Sequence, residues 1–352
     1  MTTAKAINIK EAAMNTVSTI GTIGHMKAIT QDRYGDADVL ELRDIPRPTV
    51  GVGRVRVRVR TAGVDMGAWH LMTGLPQVAR FFGLGLRRPK NPVRGLELAG
   101  LVDAIGEGVT RFKVGDEVFG VGDGAFAQYA IAKERYLVHK PSGVSFDDAA
   151  ASAVSGITAM QAVNREGRVK AGQRVLVLGA GGGVGSFAVQ LAKAAGAHVT
   201  GVCSTTKVEL VRSLGADAVI DYRTIKLDGE YDLIIDTGGQ RSLAVLRALL
   251  SPAGTLVIVG GEGGSRFLGG LSRTLAASLP SLPWGSRSRQ KLRSLISLTT
   301  VDDLERVAAL LANGSMHAAI ERRYPLAEVP DAMRRLAAGQ AHGKLVIAVS
   351  NS

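Results

Sequence analysis

The sequence predicts an α/β protein in which a β-rich first part is followed by a doubly wound parallel sheet. Three observations predict it. Residues 173–202 (QRVLVLGAGGGVGSFAVQLAKAAGAHVTGV) read as strand, glycine turn, helix and second strand. Residues 27–139 break into short β-rich runs separated by Gly and Pro, with no long helical period. Residues 316–349 return to short strands around one helix, so the end of the chain is expected to rejoin the first part.

In the central stretch, Val175–Leu178 is an apolar run bounded by glycines, as in a strand buried on both faces. Val184, Phe187, Ala188, Leu191, Ala192 and Ala195 then recur at helical spacing, and Gly196 marks the helix end. Gly179 and Gly182 allow a sharp turn that a side chain would strain. Gly182, Gly183, Val184 and Gly185 would bring backbone N–H groups to an anion at the positive helix end. The spacing is GxxGxxG at Gly179, Gly182 and Gly185, and its strand–turn–helix setting points to a dinucleotide.

The remaining elements follow in order. Residues 1–25 lack a period and a signal-peptide layout and are expected to form a flexible extension. Residues 26–150 form a compact, partly barrel-like β domain, and 146–163 is small-residue-rich and helical, a bridge to the next domain. Residues 151–314 carry the cofactor domain: strands at 218–221, in YDLIIDTGG and in TLVIVGGEGG follow the opening βαβ unit. Its glycine turns face one crevice beyond the carboxyl ends of the strands. Residues 267–297 read as a basic, apolar flap or surface helix pair, and 315–352 as the C-terminal return.

Composition sets bounds. A chain of 352 residues, 46% hydrophobic and 21% charged, can bury two ordinary cores. One cysteine, Cys203, excludes an intramolecular disulfide and a Cys-rich zinc lobe, and suits a cytoplasmic location. No apolar run approaches the ~18 residues of a spanning helix. The net charge of +12 is concentrated at Arg54, Arg56, Arg58, Arg60, Arg80, Arg87, Arg88, Lys90 and Arg94, and again at Arg266, Arg273, Arg287, Arg289, Lys291 and Arg293. A solvated basic face is the favoured reading; with aromatics at 5%, no nucleic-acid stacking platform is expected. A peripheral membrane contact by the flap stays open.

Several motifs in fixed order carry a family resemblance: GLELAGLVDAIGEGVTRFKVGDEVFG (95–120), GITAMQAV (156–163), the glycine stretch 179–199, SLGADAVIDY (213–222) and HGKLVIAV (342–349). Together they resemble the medium-chain dehydrogenase/reductase superfamily, and within it the zinc-free quinone oxidoreductase (zeta-crystallin-like) and alkenal reductase branch. The resemblance implies a GroES-like substrate domain, a Rossmann cofactor domain and a homodimer. The positions matching the catalytic-zinc ligands of the zinc alcohol dehydrogenases are Asp65, Leu96 and Val154, which cannot hold zinc, so a metal-free site is expected.

Without a Lewis acid, hydride transfer needs an electron-poor acceptor or a side-chain proton donor. The segment beside the nicotinamide reads GVDMGAWHLMTG, where the branch carries GVNxxDxYxRxG. Asp65 replaces its Asn and His70 its Tyr; His70 also lies near the proton-relay His of the zinc enzymes. Asp65 and His70 are therefore the candidate catalytic residues. After the second strand come Ser204 and Lys207 instead of an acid, and Lys207 with Tyr222 matches the pair that clasps a 2′-phosphate, so NADPH is the expected cofactor. The resemblance also implies Thr158, Gly260, Gly261 and Lys344 as cofactor contacts. The leading reading is an NADPH-dependent reductase of quinones, enones or enals. A zinc-independent carbonyl reductase of aldehydes or ketones is the alternative, and a non-catalytic NADPH-loaded RNA- or membrane-binding protein a more distant one.

Overall fold

A computed structural model describes residues 24–82, 84–259, 267 and 289–350. Residues 1–23 of the expected extension, Gly260, Gly261 and most of the flap lie outside the described residues, while the extension's last residue, His25, opens a strand and pairs with Pro46. The strands, in chain order, are β1 His25–Thr30, β2 Glu41–Pro46, β3 Arg54–Val64, β4 Glu97–Ile105, β5 Glu117–Val121, β6 Tyr129–Lys133 and β7 Leu137–His139. Then come β8 Arg174–Leu178, β9 His198–Cys203, β10 Ala218–Asp221, β11 Tyr231–Asp236, β12 Leu250–Val259, β13 Lys291–Leu295, β14 Ile320–Pro325 and β15 Lys344–Ala348.

Two main sheets result. One runs β14-β15-β3-β4-β5-β7, with β6 also on β3. Here β15 pairs antiparallel with β3, so the last strands join the first sheet as the pattern predicts. The alternation in RVRVRVR is that of a half-buried strand: Val55, Val57 and Val59 are fully buried, while Arg54 pairs with Asp123 and Arg56 with Asp103 outside. The other sheet is parallel, in the order β10-β9-β8-β11-β12-β13. Strand order reverses between β8 and β11, and ligands bind such sheets beyond the strand ends at that switch point.

The bridge departs from one continuous helix. It divides into α2 Phe146–Ser152, α3 Ser155–Met160 and a π-helical turn Gln161–Glu166, following α1 Met66–Thr73. The break has a side-chain cause: the N–H groups of Val154 and Ser155 donate to Glu97 Oε1 at 2.9 and 3.1 Å, restarting the helix on a carboxylate. The flap reading is corrected at its end. Residues 291–295 form edge strand β13, because Leu295 enters the core and the backbone pairs in register with β12.

Candidate active-site cleft

The strand–turn–helix unit forms as its sequence dictates. Strand β8 ends in Gly179, whose φ of +76° is left-handed and whose N–H donates to Val202 O at 3.0 Å. Gly182 N–H closes the turn on Gly179 O at 2.9 Å, and α4, Gly183–Ala194, starts there. No side chain caps α4, which leaves first-turn N–H groups without a partner of their own at the positive helix end.

Above this turn lies a cleft of about 650 Å³. Of the residues expected at a cofactor, Thr158, Gly179, Gly182, Gly183, Val184, Ser204, Lys207, Tyr222 and Lys344 line it, as do Asp65 and His70. Gly185 does not. A Cβ there would stand 2.1 Å from Gly179 O, so this glycine lets the helix lie against the turn. Gly181, which the sequence reading passed over, does line the cleft; a Cβ on it would meet Lys207 Cβ at 2.7 Å.

At one end the wall is Cys203, Ser204, Lys207 and Tyr222. The carboxylates lining the cleft are Asp65 and Asp236, and neither belongs to this wall. Lys207 is tied across the cleft to the C-terminal return, its Nζ donating to Gly339 O at 3.0 Å. Burial holds its ammonium below the usual lysine range. Burial also pushes the Cys203 thiol up to about 11, with help from the Asp221 carboxylate, so it stays a neutral thiol.

At the other end stands α1. Asp65 caps it, Oδ1 accepting the Ala68 N–H at 2.7 Å, and Oδ2 is buried with no protein partner. The C-terminal carbonyls of α1 are claimed by cations and an amide. Arg94 donates to Leu71 O at 3.1 Å, Gln31 to Met72 O at 2.9 Å, and Arg80 to Thr73 O and Gly74 O at 3.2 and 2.9 Å. Positive charge at a helix C-terminus is favourable, and these groups fix the helix that carries His70. Arg94 is itself held down to about 10 by burial.

His70 sits near the last turn of α1. Its Nδ1 lies 2.7 Å from Leu75 O; a carbonyl only accepts, so Nδ1 carries the proton and Nε2 presents a lone pair. Burial lowers the ring below its ordinary value of 6.5, which keeps it neutral at physiological pH. Thr158 donates to Val154 O at 2.8 Å and stands 3.0 Å from Ser297 Oγ, so its hydroxyl is engaged by protein.

Below both ends is a group that sequence reasoning missed. Lys344 lines the cleft with its ammonium turned to protein. Its buried Nζ donates to Glu97 Oε2 at 2.6 Å, Ser155 Oγ at 3.0 Å and Val64 O at 3.1 Å, using all three protons. Glu97 is fully buried; burial pushes its carboxyl up to about 7 against the opposing pull of Lys344. The one available signal was a lone acid inside the apolar run Leu96–Ala99, and nothing near it named the partner. The expected zinc positions do converge: Leu96 and Asp65 flank Gly67, and Val154 lines the cleft. Among the described residues no group of three or more His, Cys, Asp or Glu side chains is placed to hold a metal ion.

Comparison with known proteins gives the following. The alcohol dehydrogenase GroES-like domain matches residues 51–142, and the zinc-binding dehydrogenase family residues 214–347. A quinone oxidoreductase of Pseudomonas aeruginosa is 33% identical over 339 residues, covering 91% of this chain and 99% of the relative. Among solved structures, the quinone oxidoreductase of Coxiella burnetii is similar with a TM-score of 0.79 and 26% identity, over 93% of this chain and 100% of that one. A mycobacterial protein solved in complex with NADPH has a TM-score of 0.75 at 26% identity, over 92% of this chain and 100% of that one.

Proposed function

We propose a function from one premise: the chain belongs to the medium-chain dehydrogenase/reductase superfamily, and is an oxidoreductase. Its best-supported activity is NADPH-dependent, metal-independent reduction of a quinone or an α,β-unsaturated carbonyl. The carrying observation is the pairing of a carboxylate-free wall at Ser204, Lys207 and Tyr222 with ligand positions occupied by Leu96 and Val154. The first suits a 2′-phosphate, whose charge an ammonium and hydroxyls can meet. The second gives no site for zinc, so the acceptor must be electron-poor without Lewis-acid help.

NADPH, when bound, supplies the hydride. The first-turn N–H groups of Gly183 and Val184 would take the pyrophosphate, and Gly179, Gly181 and Gly182 keep the approach open to backbone. Lys207, Ser204 and Tyr222 would take the adenosine phosphate. Asp65 Oδ2, buried without a partner, would accept a hydroxyl or N–H group of the ligand. The neutral His70 ring would accept at Nε2; it donates a proton only after gaining one, and otherwise solvent completes the reduction. The proposal includes a homodimer, with β13 at the sheet edge among the described residues, and a reducing cytoplasm suited to the Cys203 thiol.

The test is kcat/KM for NADPH against NADH, over a panel of quinones, 2-alkenals and saturated ketones. Preference for NADPH that Lys207→Ala selectively weakens is expected, with turnover of quinones or enals. Preference for NADH sinks the cofactor reading, and turnover of saturated ketones alone moves the protein to a carbonyl reductase.

A further inference from the structure

Between Met66 and Leu96 the chain carries Arg80, Arg87, Arg88, Lys90 and Arg94 and no acidic residue. The structure divides these cations by duty. Arg80 and Arg94 are spent on the carbonyls at the end of α1. The side chains of Arg87, Arg88 and Lys90 are exposed and make no ion pair or hydrogen bond among the described residues.

Beside them stand large apolar groups in water. Phe81, in the 3-10 turn Gln77–Phe82, is 67% exposed, and Leu86 is 60% exposed. Phe267, 52% exposed, is attached to the same turn, its carbonyl accepting the Val78 N–H at 3.1 Å. The tip that carries Leu86 is held in shape. Lys90 N–H donates to Leu84 O at 3.0 Å, and the Tyr34 hydroxyl lies 2.7 Å from Leu84 O and 2.8 Å from Gly85 O. Arg80 stacks on the Tyr34 ring at 4.3 Å from behind.

A segment that exposes Phe81 and Leu86 together with cations that have no partner among the described residues is poorly matched to water. It is well matched to an interface with an apolar interior and an anionic surface. We propose that Phe81, Leu86, Arg87, Arg88 and Lys90 form a peripheral docking face for an anionic lipid bilayer. No described helix is long and apolar enough to cross a membrane, so the contact is one of lying on the surface. The segment 77–90 that carries this face begins seven residues after His70, and Arg80 within it is bonded to the carbonyls at the end of α1, which places it at the α1 end of the cleft, not the Lys207 end. The inference needs no particular substrate, and its test reads binding without turnover.

The full chain is floated with vesicles of phosphatidylcholine, and of phosphatidylcholine mixed with phosphatidylglycerol. Binding to the mixed vesicles alone is expected. Arg87→Gln/Arg88→Gln/Lys90→Gln lowers the partition coefficient at least about tenfold. Phe81→Ser/Leu86→Ser removes the part of the binding that survives raised salt. Both variants keep their melting temperature and NADPH affinity, since none of the five residues lines the cleft. Absence of wild-type binding to mixed vesicles, or equal binding by the charge variant, overturns the proposal. So does equal affinity for poly(U) RNA that Phe81→Ser/Leu86→Ser retains, which would make the face a nucleic-acid surface.

Discussion

The two ends of the cleft are built from different materials. The glycine-turn end is backbone: Gly179, Gly181, Gly182, Gly183 and Val184 make a cradle from N–H groups and, at the four glycines, from the absence of side chains. The α1 end is side chain: Asp65 and His70 sit over Glu97, Ser155 and Lys344, and the central ion pair joins residues 247 positions apart. A backbone cradle is specified where it stands, by residues whose spacing is itself the structure. A side-chain floor exists only after distant strands have paired.

The comparison is broken most severely at the ion pair. Lys344→Met leaves a carboxylate buried at the meeting point of β3, β4, β15 and α3, and removing one partner of a buried pair costs ~3–5 kcal/mol. The loss should depend on pH in a determined direction. In the intact protein Glu97 is raised from 4.5 to about 7, so between those values the folded state holds a proton that the unfolded state has released. Its contribution therefore falls as pH rises through that window and is level above it. Without Lys344 the carboxyl rises further, and the falling limb extends above pH 7. Urea unfolding of both proteins on either side of pH 7 checks this. A variant whose deficit is equal on both sides shows that Glu97 does not hold the proton.

The glycine end is sharpened by a smaller change. In Gly185→Ala a methyl enters 2.1 Å from Gly179 O, and the helix must move off the turn. Overpacking of this kind costs ~1–3 kcal/mol. NADPH affinity falls with it, although residue 185 does not line the cleft. Thermal melting with and without NADPH separates the two effects. An unchanged melting temperature would show that α4 has room to give.

Sequence reading was accurate where chemistry is local and silent where it is not. Period and punctuation predicted both sheets and the return of the last strands, and together with the family resemblance they predicted nine positions that line the cleft. The same local logic grouped Gly185 with the cleft glycines, because spacing does not distinguish a glycine that lines the cleft from one that packs on its own turn. Lys344 was read from its motif as a cofactor contact, yet its partner Glu97 lies on another strand and leaves no trace near HGK. The basic first third is divided by partners that only folding supplies. Arg56 finds Asp103, Arg94 finds the end of α1, and Arg87 and Arg88 find nothing among the described residues.

The smallest expected effect falls on the residue nearest the proposed chemistry. With Nδ1–H committed to Leu75 O, His70 can donate from Nε2 only as a cation, and burial lowers its affinity for that second proton below the ordinary 6.5. At pH 7.5 less than about a tenth of the rings would carry it. His70→Gln should then leave kcat/KM within about tenfold of the native value at that pH, under ~1.4 kcal/mol of barrier. The difference belongs on the acid side. As pH falls below 6.5 the native ring gains its proton and activity should rise, a limb that His70→Gln lacks. A pH profile of kcat/KM for both proteins, with a quinone acceptor, reads this directly. Parallel profiles across the acid range would remove His70 from the proton path and leave solvent as the donor.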